Sequence, residues 1–385
     1  MSMPKLRFKE FNDSWEENRI GEITLKVGSG STPLGGEKVY QSSGIPFIRS
    51  QNVNNERLSF NDIAYISDEI NSQMKGSVVK PNDILLNITG ASIGRSCVVH
   101  TDFETGNVNQ HVCIIRLKND YSSRFLQPYL SSSRGQKSIL STQVGSGREG
   151  LNFEAIRSFK VFIPKIEEQT KIANFLTVVD EKITQLTRKC DLLAQYKKGV
   201  MQQIFSQKLR FQDEDGRDFP EWEEKLFFDF APLQRGFDLP VNKIVEGEYP
   251  VVFSNGILKT HIEFKAYAPG VVTGRSGTIG NVTYVEENYW PHNTALWVTH
   301  FNGNNPKFVF YFLIYFDLSK FSTGSGVPTL NRNDVHRQII SIPSVKEQTK
   351  IANFLTAIDD KINNTQAQLA AVKQYKQGLL QQMFV

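Results

Sequence analysis

Two segments of the chain carry apolar side chains at steps of three and four residues over an unusual length. The first, Glu167 to Phe205, has no proline and a single glycine, Gly199. Its apolar stripe consists of Phe175, Val179, Ile183, Leu186, Cys190, Leu193, Tyr196, Val200 and Ile204. This period predicts one continuous amphipathic helix. At 1.5 Å per residue the helix is roughly 58 Å long, more than one small domain can cover.

The second segment repeats this pattern near the end of the sequence. Ser344 followed by Glu347 predicts a capping box, and Pro343 directly before it suits the start of a helix. The stripe continues through Phe354, Ile358, Ile362, Leu369, Val372, Tyr375, Leu379 and Met383. A narrow stripe needs a matching helix, so we predict that the two helices pair as a coiled coil. The alternative is that each helix packs separately on its own neighbouring domain.

Both helical segments belong to an internal duplication with a displacement of 179 residues. The block EQTKIANFLT at Glu168–Thr177 returns unchanged at Glu347–Thr356. Such self-similarity predicts two copies of one unit, each a variable globular part followed by a nearly constant helical tail. The predicted division is into globular domains at 1–162 and 206–341 and repeat helices at 163–205 and 342–385.

The globular parts predict a mixed α/β fold that is rich in short strands. Strand-like stretches with β-branched residues are Ile45–Arg49, Asp83–Thr89 and His111–Leu117. Helices are predicted at Ser123–Leu130 and Phe308–Phe321, and a loop at Val27–Pro33. Because strands and helices do not alternate regularly, a doubly wound nucleotide-binding fold is disfavoured.

Composition and charge exclude some classes without choosing a function. The net charge is only +4, so the total does not demand a nucleic-acid partner. The longest apolar run, Phe308 to Phe316, is far shorter than the roughly 20 residues that span a bilayer. The first ten residues lack the apolar core of a signal peptide, and the three cysteines are widely spaced. We therefore expect a cytoplasmic protein with reduced thiols.

Catalytic motifs are scarce. The sequence has no phosphate-binding loop, no nucleophile elbow, no histidine pair at metal-ligand spacing and no adenine-methyltransferase tetrapeptide. Asp180-Glu-Lys182 and Asp359-Asp-Lys361 match half of a metal-dependent nuclease motif. Both triplets lie inside the predicted long helices, where such residues usually form a solvated face. A nuclease therefore stays an alternative, and we predict no catalytic or metal-binding residue.

Polar side chains in the predicted loops favour DNA binding. Arginine can read guanine and asparagine or glutamine can read adenine, while serines and loop amides contact phosphates. For any single position a turn-forming role is an equal alternative. In the first globular part the candidates are Arg49, Gln51, Asn52, Ser92, Arg95, Asn109, Gln110, His111, Ser146 and Arg148. In the second they are Ser254, Asn255, Arg275, Ser276, His292, Asn293 and Ser325.

The duplicated motifs resemble those of the DNA-specificity subunits of Type I restriction-modification systems, over essentially the whole chain. The resemblance rests on the E-Q-x-K-I-A-x-F-L blocks, the Ile-Pro before each block, and the Y-K-x-G-x-x-Q-Q-x-F endings at 196–205 and 375–384. It implies two target-recognition domains, each reading one half of a split asymmetric DNA site, and repeat helices that pack antiparallel as a spacer.

The resemblance also implies a set of partners. Two modification subunits would methylate adenine with S-adenosylmethionine, and endonuclease/translocase subunits would use ATP and Mg²⁺. This chain would bind double-stranded DNA, hold no cofactor and carry out no chemistry. A stand-alone DNA-binding regulator or scaffold is the remaining alternative to this interpretation.

Overall fold

The computed structural model describes residues 3–54, 56–142, 150–323 and 327–384. The chain divides into two units. Unit 1 comprises Met1–Leu186 and Gln368–Val385, and unit 2 comprises Thr187–Ala367. The two long helices, at Ile166–Phe205 and Val345–Met383, each contribute one part to each unit. Their observed bounds agree with the predicted helical segments to within a few residues.

Unit 1 begins with short strands and small helices. Its strands are β1 (Glu16–Arg19), β2 (Thr24–Ser29), β3 (Ile45–Ile48), β4 (Val53–Asn54), β5 (Arg57–Leu58), β6 (Ala64–Ile66), β7 (Val78–Val79), β8 (Ile84–Asn87), β9 (Ser96–Val98), β10 (Gly106–Val108), β11 (Val112–Leu117) and β12 (Lys160–Ile163). Its helices are α1 (Ile20–Ile23), α2 (Asp68–Gln73), α3 (Ser123–Ser131), α4 (Ser133–Ser141), α5 (Phe153–Ser158) and the start of the long helix α6 (Ile166–Phe205).

Unit 2 follows the same plan. Its strands are β13 (Glu223–Leu226), β14 (Leu233–Arg235), β15 (Tyr249–Phe253), β16 (Gly256–His261), β17 (Gly270–Gly274), β18 (Val282–Val285), β19 (Trp290–Pro291), β20 (Ala295–Val298), β21 (Ser322–Thr323), β22 (Thr329–Leu330) and β23 (Ile339–Ile342). Its helices are α7 (Phe227–Phe230), α8 (Pro306–Phe316), α9 (Arg332–His336) and the start of the second long helix α10 (Val345–Met383).

The sheets of the two units correspond strand by strand. An antiparallel sheet of order β2-β11-β8-β9 in unit 1 matches β14-β20-β17-β18 in unit 2. A second sheet contains β6-β3-β10 in unit 1 and β16-β15-β19 in unit 2, and its β3–β10 and β15–β19 pairs are parallel. The pairs β1-β12 and β13-β23 lead into the long helices. The structure is therefore a mixed helix/strand fold with an internal repeat.

Each unit builds its main core around parts of both long helices. In unit 1 the core joins Val179 of α6 with Leu379 and Met383 of α10. In unit 2 it joins Ile204 of α6 with Leu355 of α10. Burying one such side chain stabilises the fold by about 2 kcal/mol. The start of α6 thus shares a core with the end of α10, and the end of α6 with the start of α10.

The repeated Glu-Gln pair explains why this block is identical in both copies. Glu168 accepts two hydrogen bonds from Arg7, at 2.7 and 2.8 Å, and Glu347 accepts two from Arg210, at 2.8 and 3.0 Å. Both carboxylates are almost fully buried. Each guanidinium is bidentate, which suits a buried ion pair.

The glutamine beside each glutamate joins three segments. Gln169 donates to the carbonyl of Pro164 at 2.8 Å and accepts from the amide of Ser122, the N-cap residue of α3, at 2.9 Å. Gln348 makes the same two bonds to Pro343 and Asn305, the latter the N-cap residue of α8. The repeated glutamine therefore fixes where α3 begins relative to α6 in unit 1, and where α8 begins relative to α10 in unit 2.

Two local predictions need correction. Val27–Pro33 was predicted as a loop, but Val27, Gly28 and Ser29 continue β2 and pair with β11. The capping box at Ser344 is only half made, because the amide of Glu347 lies 3.5 Å from the Ser344 hydroxyl while its carboxylate binds Arg210. A tertiary ion pair replaces the local capping bond.

Candidate DNA interface

Four loop segments meet at one end of the sheets in each unit, and main-chain hydrogen bonds align them. The amide of Asn109 donates to Ile48 at 3.1 Å, and the amide of His292 donates to Val252 at 2.9 Å. Asn109 and His292 therefore hold the same position in the two units. It follows that Gln110 corresponds to Asn293. Gln51 and Asn255 lie in the loops that follow the equivalent strands β3 and β15, and these loops differ in length.

The loops after β8 and β17 join the same place. The amide of Ile88 donates to His111 at 3.0 Å, and that of Arg275 donates to Thr294 at 2.9 Å. Leu151 and Leu330 then donate to the carbonyls of Ile88 and Arg275, each at 2.8 Å. The structure thus brings most of the predicted site residues together on an equivalent main-chain frame.

In unit 1 these loops carry a chain of neutral polar side chains. The Thr32 hydroxyl and the Gln110 carboxamide oxygen are 2.6 Å apart, and the Gln110 amide lies 3.1 Å from Nε2 of His111. Nδ1 of His111 lies 2.6 Å from the Thr89 hydroxyl. Thr32 and Thr89 were missed in the sequence, because nothing in their neighbourhood distinguishes them from ordinary turn residues.

Arg49 and Gln51 lie on the loop after β3. The Arg49 guanidinium donates to the carbonyl of Asp62 at 2.9 Å and lies over the Tyr40 ring, 5.5 Å from its centroid. Burial raises the pKa of Tyr40, so this phenol stays neutral. Gln51 is exposed, as a base-reading side chain must be. The Arg49 guanidinium is therefore already engaged by Asp62 and Tyr40.

Two of the predicted DNA-contacting residues have carboxamide side chains that hydrogen-bond within their own loops. Asn52 is 0% exposed, accepts from the Arg49 amide and donates to the carbonyls of Ser59 and Asn61. Asn109 is 7% exposed and accepts from the His111 amide at 3.0 Å. The Asn52 carboxamide is therefore not available to a base edge in this conformation, and the Asn109 carboxamide oxygen is engaged by its own loop.

The remaining unit 1 candidates are the glycine-turn residues. Arg95 is exposed and Ser92 is half-buried. Ser146 and Arg148, together with Ser325 of unit 2, lie outside the described residues.

Unit 2 has a charged network at the equivalent place. Asp238 pairs with Arg235 at 2.6 Å and accepts from the Asn293 side chain. The Asn293 amide and the Arg235 guanidinium lower the pKa of Asp238. Arg275 lies 3.4 Å from the Asn293 carbonyl. Arg235 and Asp238 were not predicted, because an exposed pair three residues apart looks like an ordinary surface ion pair.

His292 is a buried member of this network. Its Nδ1 lies 2.9 Å from the Thr294 hydroxyl and its Nε2 lies 3.2 Å from the Leu239 carbonyl. Burial lowers the pKa of His292, so the neutral imidazole is favoured. Thr294 also accepts from the amide of Ser254 at 3.3 Å. Asn255 is exposed in the turn after β15, and Ser276 forms a bridge with Thr329.

Three arginines face one cleft of about 680 Å³ in unit 2, namely Arg235, Arg275 and Arg332. The residues at the corresponding positions of unit 1 are Ser29, Ile88 and Phe153, as the strand register and the paired N-caps Asn152 and Asn331 show. At these three positions unit 2 therefore carries arginines, one of them paired with Asp238, and unit 1 carries uncharged side chains. A cationic cleft with amide and hydroxyl neighbours suits phosphates and guanine edges.

The two Asp-x-Lys triplets have a structural explanation. Asp359 pairs with Lys197 at 2.6 Å and accepts from Tyr311 at 2.7 Å. Asp180 pairs with Lys376 at 2.5 Å. The lysines are themselves equivalent in the repeat, so each unit carries one aspartate–lysine pair between α6 and α10. The nuclease alternative requires Asp180 or Asp359 as a metal ligand, and both carboxylates are engaged in these ion pairs.

In the described part of the chain no group of three or more His, Cys, Asp or Glu side chains is arranged to hold a metal ion. None of its helices is long and apolar enough to cross a bilayer. Burial raises the pKa of the Cys97 and Cys113 thiols to about 12.

Comparison with known proteins agrees with this duplicated architecture. The profile of the family described as "Type I restriction modification DNA specificity domain" matches residues 12–193 and 220–374. The chain therefore belongs to the Type I restriction-modification DNA-specificity family.

Individual relatives support the assignment. The putative type I restriction enzyme MjaX specificity subunit of Methanocaldococcus jannaschii is 21% identical, over 98% of this chain and 94% of its own length. The EcoBI specificity subunit of Escherichia coli is 36% identical over 34% of this chain and 27% of its own. The S subunit of a Type I system from M. genitalium has the same fold, with a TM-score of 0.64 at 15% identity, over 100% of this chain and 99% of that one.

Proposed function

We propose that unit 1 and unit 2 read the two halves of a split, asymmetric DNA site through the loops described above. One observation carries the proposal: equivalent main-chain positions present different side chains, such as Gln110 against Asn293 and Ile88 against Arg275. A common frame with different reading groups is what two unlike half-sites require. The exposed candidates Gln51, Arg95 and Asn255, together with the half-buried Arg275, would supply the direct contacts.

We further propose that α6 and α10 form an antiparallel coiled coil that acts as the spacer. Support comes from the shared cores and from the reciprocal pairs Asp180–Lys376 and Asp359–Lys197, in which the first half of each helix contacts the second half of the other. Half-sites one helical turn apart are about 34 Å from each other. A rod of roughly 58 Å is long enough to set such a distance.

In this proposal the chain itself is not catalytic. Two modification subunits methylate adenine with S-adenosylmethionine, and endonuclease/translocase subunits use ATP and Mg²⁺. The target adenine must leave the base stack to be methylated, so the reading loops leave space for a partner that flips it. The domains at 1–162 and 206–341 determine the sequence, and the segments at 163–205 and 342–385 determine the gap.

Domain exchange tests the proposal. Residues 1–162 are replaced by those of a relative with a different target, the chain is co-expressed with its modification subunit, and methylated adenines are mapped across the genome. We expect one half of the target to change, and the other half to change when 206–341 is exchanged.

The matched control exchanges only 163–205, which should leave both half-sites as they were. Half-site identity that follows the helix would contradict the assignment. Methylation or Mg²⁺-dependent cleavage by the isolated chain would contradict its non-catalytic role.

A further inference from the structure

The loop that follows β2 in unit 1 carries an almost fully exposed leucine. Leu34 is 98% exposed, although Pro33 directly before it is buried. The amide of Gly36 donates to the carbonyl of Pro33 at 2.9 Å. Gly35, with φ 98° and ψ −8°, has the left-handed conformation that a type II turn requires at its third position. Leu34 therefore lies at the tip of a short turn that is anchored in the unit.

This turn belongs to the loop end of the sheets, where the candidate DNA interface lies. Thr32, two residues before Leu34, lies 2.6 Å from the carboxamide oxygen of Gln110. On the other side of the turn, the Glu37 carboxylate lies 4.0 Å from the Arg49 guanidinium. The residues on both sides of Leu34 thus contact predicted DNA-reading loops, and a duplex bound by these loops lies next to Leu34.

The equivalent loop of unit 2 begins with the same contact. Asp238 accepts a hydrogen bond from the side chain of Asn293, the counterpart of Gln110. Asp238 and Thr32 also both lie three residues beyond the last residue of the equivalent strands β14 and β2. Asp238 and Thr32 therefore hold the same position, and the residues after them can be compared directly.

An exposed apolar residue follows in both units. The next residues, Pro33 and Leu239, are both buried. After them come Leu34 in unit 1, and Pro240 and Val241 in unit 2, which are exposed, Val241 by 61%. A single exposed apolar side chain is ordinary on a protein surface. Its recurrence at one position of two otherwise different loops indicates a common role.

The chemistry of this tip suits a step between two base pairs. Leucine has no hydrogen-bonding group for base edges or phosphates, so it cannot act as the neighbouring polar residues do. Proteins that kink a duplex insert side chains such as leucine or proline between adjacent base pairs and partly unstack them. Such a side chain has to be exposed before binding and carried by an anchored segment, and Leu34 meets both conditions.

We propose that Leu34 is a wedge that inserts between two neighbouring base pairs of the half-site read by unit 1, and that Pro240 and Val241 form the wedge of unit 2. The inference rests on the proposed function, because it requires these loops to lie on DNA. It adds a second way of reading, since pyrimidine–purine steps unstack most easily. Each unit thus selects part of its half-site through the deformability of the duplex.

The test is base unstacking in a duplex bound by the complex of the full chain with its modification subunit. The fluorescent analogue 2-aminopurine replaces one purine at a time in the unit 1 half-site, outside the methylated adenine, and its fluorescence rises when stacking is lost. We expect one step at which the wild type raises the fluorescence severalfold. Leu34→Ala should lose this signal and bind the duplex with a severalfold weaker Kd, whereas Leu34→Met should keep both.

Leu25→Ala is the matched control, since Leu25 is 66% exposed and lies near the opposite end of β2. It should change neither the fluorescence nor the Kd. Val241→Ala should lower the signal only in the half-site read by unit 2. Thermal unfolding is measured for every variant, and all of these side chains are exposed, so the variants should fold.

A duplex with uracil in place of thymine distinguishes a wedge from an apolar contact with a thymine methyl group. If Leu34→Ala no longer weakens binding to the uracil duplex, Leu34 reads a methyl group and the wedge is wrong. The wedge is also wrong if Leu34→Ala keeps the fluorescence signal, if Leu25→Ala loses it equally, or if Leu34→Ala fails to assemble with the modification subunit. The proposed function stands in each of these cases. A wild-type complex that does not bind its target sequence specifically contradicts the proposed function itself.

Discussion

Unit 1 and unit 2 share a main-chain frame at the loop end of their sheets but present different side chains on it. Unit 1 has the neutral chain from Thr32 through Gln110 and His111 to Thr89. Unit 2 has three arginines around one cleft. The frame is held by amide-to-carbonyl bonds, which do not depend on side-chain identity. Side chains at these positions can therefore change without loss of the fold.

The repeated helical segments differ from these loops, because side chains rather than main-chain groups connect them to the rest of each unit. The buried carboxylates of Glu168 and Glu347 each pair with an arginine, and Gln169 and Gln348 each bridge a proline carbonyl to a helix N-cap. A buried carboxylate left without its partner is costly. The units therefore differ where the main chain alone forms the frame and agree where side chains form it.

The largest expected effect on stability follows from breaking one of these buried ion pairs. Arg7→Ala leaves Glu168, 2% exposed, without its cation, which should destabilise the fold by about 3–5 kcal/mol. Arg210→Ala should have a smaller effect, because Arg210 is 23% exposed and water can compensate in part. Denaturant unfolding measures both variants.

Lys9→Ala, an exposed neighbour of Arg7, is the matched control and should change stability by less than about 0.5 kcal/mol. Equal stability of Arg7→Ala and this control would show that the buried pair does not hold the tail in place.

Much of the architecture could be predicted from the sequence, because periodicity and repetition are local signals. The stripe from Phe175 to Ile204 predicted α6, and its repetition predicted α10. Strands at β3, β8 and β11 and helices at α3 and α8 were also predicted from short patterns. Each of these elements has a local pattern of apolar residues that agrees with the secondary structure it forms.

The site was harder to predict, because exposure and pairing depend on tertiary contacts. Asn52 and Gln51 are neighbours that both carry a carboxamide, yet Asn52 is buried in its loop and Gln51 is exposed. Arg235 joins Arg275 only because β14 and β17 flank the same strand, β20. The strand order that brings them together is not visible in any local pattern.

An intermediate effect is expected at the arginine cleft. Arg275→Ala removes a guanidinium that can contact one guanine or phosphate, a contact worth about 1–3 kcal/mol. We therefore expect DNA binding by the assembled complex to weaken about tenfold or more, with relaxed selectivity confined to the half-site read by unit 2. Fluorescence anisotropy with DNA duplexes altered in one half-site at a time measures this.

Arg337→Ala is the control with the same change of charge, since Arg337 is an exposed residue of unit 2 outside the cleft. Arg95→Ala should act only on the half-site read by unit 1. Relaxed selectivity in both half-sites after Arg275→Ala would contradict independent reading.

The smallest effect concerns pH and distinguishes His292 from its unit 1 counterpart Asn109, which does not titrate. Burial lowers the pKa of His292 below the value of 6.5 that it has in the unfolded chain. Below pH 6.5 the unfolded state therefore binds more protons, so stability falls as the pH decreases. Asp238 opposes this shift and Arg235 favours it, since both face the ring.

His292→Asn, which gives unit 2 the residue of unit 1, should remove part of the stability lost between pH 7 and pH 5.5. Part of the loss of stability should remain in the variant, because burial also lowers the pKa of His336. Amide hydrogen exchange at Thr294 and Ala295, followed against pH, measures the local effect. If protection there falls with acidity equally in wild type and variant, His292 is not the titrating group. The His292/Asn109 difference between the two units then has no effect on how stability depends on pH.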